Sequence, residues 1–140
     1  MIPKFRFWDR EKGCFVDDSL YLDSLGNVYR DATVDFFEPK AIENPIRSLE
    51  YIEVMQSTGL FSTFSEDELF EDDVIFWTYF DEFEDTGKAR IVYRDGCWKL
   101  LDIKTGKEAW DSLFDCLENC TVFLSGNIYE NPELVEVLND

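Results

Sequence analysis

The sequence has no histidine. That removes the Ser-His-Asp and Cys-His mechanisms and every His-ligated metal site. Positive charge is scarce as well: 13 Lys and Arg stand against 31 Asp and Glu, a formal net charge of −18. Proteins that bind DNA draw most of their affinity from Lys and Arg on phosphates, so direct nucleic-acid binding is not expected. No window approaches the ~20 apolar residues of a membrane-spanning helix. The opening Met1-Ile2-Pro3-Lys4-Phe5 lacks the apolar run of a signal peptide. A cytoplasmic protein is therefore expected, away from membranes, with Cys14, Cys97, Cys116 and Cys120 reduced. Catalytic thiols usually need a partner base and histidine is missing, so packing is the expected role of these cysteines.

Acid and aromatic rings are what the chain has in quantity. Its 140 residues are 45% hydrophobic and include 13 Phe, 6 Tyr and 4 Trp, enough for a packed core. A chain of this size hides roughly two-thirds of its unfolded surface. The acid is segregated: residues 41–85 hold 13 acidic residues and one basic residue, Arg47, for a net −12. The general reading of such charge is solubility. A sharper one is that acidic rows imitate a phosphate backbone and occupy another protein's nucleic-acid groove.

Short strands dominate the pattern. Lys4 to Trp8 and Cys14 to Val16 flank a turn at Asp9 to Gly13, and Leu20 to Leu22 and Val28-Tyr29 flank another at Gly26-Asn27. Arg30 to Pro45 reads as a loop, Leu49 to Met55 as a strand, and Gln56 to Glu68 as a connection. Leu69-Phe70 with Val74 to Phe80 reads as one aromatic strand, followed by an acidic loop over Asp81 to Gly87. The strongest local signal is Asp95-Gly96, the turn of a two-residue hairpin. It pairs Arg94 with Cys97 and Ile91 with Leu100. It also sets Tyr93, Trp98, Ile91 and Leu100 on one face, expected to be buried. Lys104 to Lys107 makes the next turn. Trp110, Leu113, Phe114 and Leu117 recur at helical spacing. Thr121 to Leu124 is a strand with a bulge near Gly126, and Asn131-Pro132-Glu133 starts a short last helix.

Chemical motifs are thin. Gly106-Lys107 lacks both the preceding Gly and the following Ser or Thr of a phosphate loop. The run Glu66-Asp67-Glu68 and Glu71-Asp72-Asp73 offers oxygen to a hard cation but has no EF-hand spacing. A solvated acidic face is the plainer reading. No cofactor, metal ligand or catalytic residue is assigned. The candidate interaction residues are basic and aromatic Lys4, Arg6 and Trp8, and acidic Glu71, Asp72 and Asp73.

Four segments in order resemble the YopX family of phage and prophage proteins. They are Lys4-Phe5-Arg6-Phe7-Trp8-Asp9, Val54-Met55-Gln56-Ser57-Thr58-Gly59-Leu60, Phe70-Glu71-Asp72-Asp73-Val74-Ile75 and Gly126 to Leu134. Ser57 departs from the family's usual Tyr, and Asp72 from a Gly. The resemblance implies a mainly β (β-rich α+β) architecture: an N-terminal β-hairpin region over 1–58, and an SH3-like β-barrel with a C-terminal helix over 59–140. It carries no activity and no catalytic residue. The expected function is that of an uncharacterised phage or prophage accessory protein, a non-enzymatic module that binds an unidentified host or phage protein. The alternatives are a carboxylate-based metal-binding protein or metal-dependent enzyme, and an acidic DNA mimic. Self-association into a homo-oligomer is expected from the many aromatics and the segregated charge.

Overall fold

Asp95 and Gly96 both take positive φ, 52° and 79°, the pair of left-handed residues that a two-residue hairpin turn requires. The flanking strands pair in the predicted register: Arg94 with Cys97, Tyr93 with Trp98, Val92 with Lys99 and Ile91 with Leu100. The computed structural model describes residues 4–16, 20–22, 25, 28–30, 51–79 and 82–136. The chain is mainly β, with a curled half-barrel sheet. Its strands are β1 (Phe5–Asp9), β2 (Cys14–Phe15), β3 (Leu20–Leu22), β4 (Val28–Arg30), β5 (Ile52–Phe61), β6 (Glu68–Phe70), β7 (Asp73–Tyr79), β8 (Glu82–Arg94), β9 (Cys97–Asp102), β10 (Glu108–Ala109) and β11 (Cys120–Asn127). Helix α1 spans Leu113–Asn119 and α2 spans Glu133–Glu136. The chain divides into two units, residues 6–54 and residues 1–5 with 55–140.

In the unit of residues 6–54, β1 and β2 form the expected hairpin, with Trp8 opposite Phe15. Asp9 Oδ1 accepts the N–H groups of Glu11 and Lys12 at 2.8 and 2.9 Å and so closes the turn. Trp8 is buried and meets Phe15 edge-on, with ring centroids 5.0 Å apart. The Arg6 guanidinium lies 5.0 Å from the centroid of the same phenyl ring. β3 pairs with β4, Tyr21 opposite Tyr29. The Gly26-Asn27 turn and the loop expected beyond Arg30 lie outside the described residues.

In the other unit, β7 to β11 make one antiparallel sheet in the order β10-β9-β8-β7-β11. One face carries the core: Ile75, Trp77, Ala89, Ile91, Leu100 and Val122, covered by Leu113 and Cys116 of α1. Gly87 stands opposite Trp77 in the ladder, and a β-carbon there would strike the indole. Glycine is what lets the large ring lie across β8. Among the described residues no helix is long and apolar enough to cross a membrane.

Several expectations are corrected. β5 runs on to Phe61 where a connection was predicted. Gly59, at φ 76°, bends the strand at a register shift between Ser57 and Phe61 without breaking it. The single aromatic strand is two, β6 and β7, parted by Glu71 and Asp72. β8 starts at Glu82 and takes in most of the predicted acidic loop. Acidic residues are depleted in strands, but they keep the backbone donor and acceptor a ladder needs. Tyr93 is 56% exposed because it sits near the hairpin tip, beyond the core, with Trp98 half-buried against it. Trp110 lies outside α1 at φ 61°, and the helix starts from Ser112, whose Oγ accepts the Asp115 N–H at 3.1 Å. Phe114 is exposed, and Leu113 and Cys116 form the buried side. β11 bulges at Gly126 as predicted.

Candidate interaction site

β6 pairs with β5, whereas β7 pairs with β8 and β11. Glu71 and Asp72 must therefore turn the chain from one ladder into another within two residues. Asp72 does so at φ 69°, a conformation that Asp tolerates better than most side chains. Every step of the corner is bonded. The Glu71 N–H donates to the Gln56 carbonyl at 2.9 Å and the Asp72 N–H to the Ile91 carbonyl at 2.9 Å. The Ile128 N–H donates to the Asp72 carbonyl at 3.2 Å. Asp73 Oδ2 accepts the Phe70 N–H at 2.7 Å. Arg90 places Nε and Nη2 at 3.1 and 2.9 Å from Asp72 Oδ1. Asp73 is 1% exposed and Asp72 9%, and carboxylates so buried need such partners. Burial, and then the neighbouring Asp72 charge, hold the Glu71 carboxyl above the ordinary glutamate value.

The last of the four segments locks onto this corner. Asn127 faces Asp73 across the β7–β11 ladder and is buried. Its Oδ1 accepts the N–H groups of Tyr129 and Glu130 at 3.0 and 2.8 Å, and its Nδ2 donates to Glu130 Oε1 at 3.2 Å. Asn131 stands at the start of α2 as predicted, its carbonyl accepting the Leu134 N–H at 2.9 Å. Its side chain, however, turns back: Asn131 Oδ1 accepts the Asn127 N–H at 3.3 Å. A β-carbon on Gly126 would collide with that same oxygen.

The second segment supplies the other wall. Thr58 Oγ1 donates to the Leu69 carbonyl at 2.8 Å and accepts the Leu60 N–H at 3.0 Å. Ser57 stands opposite Phe70, and its N–H donates to the Lys4 carbonyl at 2.8 Å. Lys4 Nζ reaches Glu68 Oε1 at 3.3 Å, with the lysine side chain 70% exposed.

The six candidate residues therefore divide by burial. Asp72, Asp73 and Trp8 are interior and hold their surroundings together. Lys4 is exposed, and Arg6 and Glu71 are half-buried. The acidic run does not gather into one site. Glu68 faces Lys4, Asp67 takes the Ser65 hydroxyl, and Asp72 and Asp73 are engaged as above. Among the described residues no group of three or more Asp, Glu or Cys is placed to hold a metal ion. Burial pushes the Cys116 and Cys120 thiols up, so both stay neutral.

One surface was not foreseen. On β7, Phe76 points away from the core face that Ile75 and Trp77 build. Phe123 stands opposite it on β11, the ring centroids 5.8 Å apart, and Phe64 lies 4.5 Å beyond Phe123. On the other side of Phe76 is Lys88. There a groove of about 530 Å³ opens, lined by Phe76, Lys88, Ile103, Lys104, Glu133 and Leu134. The usable signal was alternation along β8, but the predicted acidic loop over Asp81 to Gly87 starts that strand too late.

These features define a class: a mainly β protein built around a curled five-stranded sheet, with three of its motif segments joined at one buried corner. The model of the family described as YopX protein matches residues 4–136, and the chain belongs to that family. Two solved structures share the fold. The crystal structure of protein EF1440 from Enterococcus faecalis superposes with a TM-score of 0.62 at 22% identity, covering 97% of this chain and 99% of that one. Protein yopX from Bacillus subtilis gives 0.57 at 19% identity, covering 93% and 95%. No curated protein matches the chain.

Proposed function

We propose that the chain is a non-enzymatic accessory protein of a phage or prophage. It works in the host cytoplasm by binding protein: copies of itself, and a host or phage partner. The observation that carries this reading is the corner at residues 70–73. The polar groups of the segments that resemble the family are engaged there in backbone hydrogen bonds and one ion pair. Side chains whose donors and acceptors are held inside the fold are poorly available to a substrate. Self-association is supported by large apolar side chains left at the surface, Phe61, Phe64 and Phe114 at 52%, 68% and 56% exposure.

Two measurements test the reading. Sedimentation equilibrium at micromolar concentration should give a mass above the 16.5 kDa of one chain. A single species at the monomer mass, unchanged between low and high salt, would remove the oligomer. A panel of nucleotide, glycan and ester substrates should give no turnover, and enzyme-like rates on any of them would end the non-enzymatic reading.

A further inference from the structure

We propose that the recess framed by Trp77, Tyr79 and Trp110 binds the guanidinium of an arginine side chain of a partner protein. The cation lies against the aromatic faces, and its N–H groups meet the acid carried around the recess. This rests on the protein-binding reading above and gives it a site and a ligand chemistry.

The rings are the first support. Trp77 belongs to the core face of the sheet, and Tyr79 and Trp110 pack at the margin of that core. The Tyr79 and Trp110 rings have centroids 6.1 Å apart and planes tilted by 32°. Between these three rings and the exposed Thr86 a recess of about 390 Å³ opens. The face of an aromatic ring is negative, and the indole is the best of the rings for a cation. The chain makes this contact once within itself, with Arg6 on Phe15. Trp110 is also fixed in place. Its φ of 61° is a left-handed conformation that a bulky residue rarely adopts, and it persists only where the surroundings impose it. Here Ala109 pairs with Leu100, Lys99 Nζ donates to the Asp111 carbonyl at 2.7 Å, and Ser112 caps α1. An indole set in advance loses little freedom when a ligand arrives.

Charge is the second. Residues 77–86 and 110–119, which supply the whole recess, carry seven acidic residues and no basic one. Glu82 stands opposite Tyr79 in the ladder. Asp111 and Glu118 are exposed and have no ion pair among the described residues. With Lys99 counted through its bond to Asp111, acid still outnumbers base seven to one. Lys88, Arg90 and Arg94 of β8 alternate onto the opposite face of the sheet, Lys88 standing beside Phe76. The ligand that matches is therefore a cation. A guanidinium is planar, stacks on rings and brings five N–H donors for the carboxylates and the Thr86 hydroxyl. A quaternary ammonium has no donor to give them.

The test is a titration of ¹⁵N-labelled full chain with the blocked tripeptide acetyl-Gly-Arg-Gly-amide. Saturable shifts are expected at the indole N–H groups of Trp77 and Trp110 and at the Thr86 amide. Trp110→Gly suits the left-handed backbone and removes the ring. It should weaken binding about three- to tenfold, the range of a cation on an aromatic face. Thr86→Lys, at an exposed position, sets a competing cation at the recess and should weaken binding as well, whether or not Trp110→Gly folds. No shifts, shifts only elsewhere, an equal response to the Gln tripeptide, or full binding by either folded variant would each overturn the site. Tighter binding of the trimethyllysine tripeptide would overturn it in favour of a quaternary ammonium, and tighter binding of maltotriose in favour of a sugar. A fall to the monomer mass in Thr86→Lys would assign the recess to a second copy instead. Sedimentation and turnover of the parent chain decide the broader reading independently, so failure of the arginine site is distinguishable from failure of that reading.

Discussion

Arg90 holds Asp72 with two nitrogens on a single carboxylate oxygen, at 3.1 and 2.9 Å. The bond joins the middle of β8 to a residue whose own backbone is in the left-handed region at φ 69°. Asp72 therefore carries a conformational cost and an ionic gain at once, and the two can be separated. Asp72→Gly removes both, and Asp72→Ala removes only the gain. Asp72→Ala should destabilise by about 1.5–3 kcal/mol, the range for hydrogen bonds to charged groups. Asp72→Gly should lose less, by the left-handed penalty that a non-glycine residue bears, roughly 1 kcal/mol. Urea denaturation of the two variants gives the order.

Gly87 is predicted to be intolerant of a single methyl group. Its neighbour Trp77 occupies the space a β-carbon needs. Gly87→Ala should cost about 1–3 kcal/mol as overpacking and change the near-ultraviolet circular dichroism of the indole. Gly96, whose β-carbon would meet nothing within 4 Å, is a control for crowding, although its φ of 79° still favours glycine.

The hairpin and the corner were not equally legible in the sequence. Asp95-Gly96 fixed its register because a two-residue turn leaves one pairing only. The reading went wrong where a residue type has two structural uses. The sequence from Gln56 to Glu68 reads as a connection, but Gly59 inside it lies in a ladder, at a register shift between Ser57 and Phe61. Trp110 completed a helical spacing by coincidence; it packs on Tyr79, ring centroids 6.1 Å apart, before the helix begins. The better signal was Ser112 with Asp115 three residues on, the pattern of a helix cap. The corner itself was invisible. Its parts, Gln56, Asp72, Arg90 and Ile128, are far apart in the chain and meet only through tertiary pairing.

Stability should depend on pH through Glu71. Its folded pKa is raised, by burial first and the Asp72 charge second. The folded state then binds a proton more tightly than the unfolded state, so this group's contribution falls as pH rises from the ordinary glutamate value through the raised one. Glu71→Gln should be more stable than the parent protein at pH 7. The difference should shrink as pH falls to 4. Urea midpoints at the two pH values check it, and a parent-to-variant difference that does not change with pH would show that Glu71 titrates normally.

The thiols should react in two classes. Cys14 is exposed, whereas Cys116 and Cys120 are buried and their thiols are pushed up. Iodoacetamide at pH 8 should label Cys14 in the folded protein and reach Cys116 and Cys120 only in denaturant. Peptide mass spectrometry reads the sites directly.

The segments resembling the family should build one cooperative corner. Native-state hydrogen exchange tests it most directly, on the amides of Glu71, Asp72, Ile128 and Asn131, which donate to Gln56, Ile91, Asp72 and Asn127. A single cooperative unit opens with one free energy. A common opening free energy is expected for all four amides, and a common fall of about 1–3 kcal/mol in Asn127→Ala, whose side chain accepts two backbone N–H groups. If Asn127→Ala lowered protection at Ile128 and Asn131 but left Glu71 and Asp72 unchanged, the corner would be two independent pieces and the claim would be contradicted.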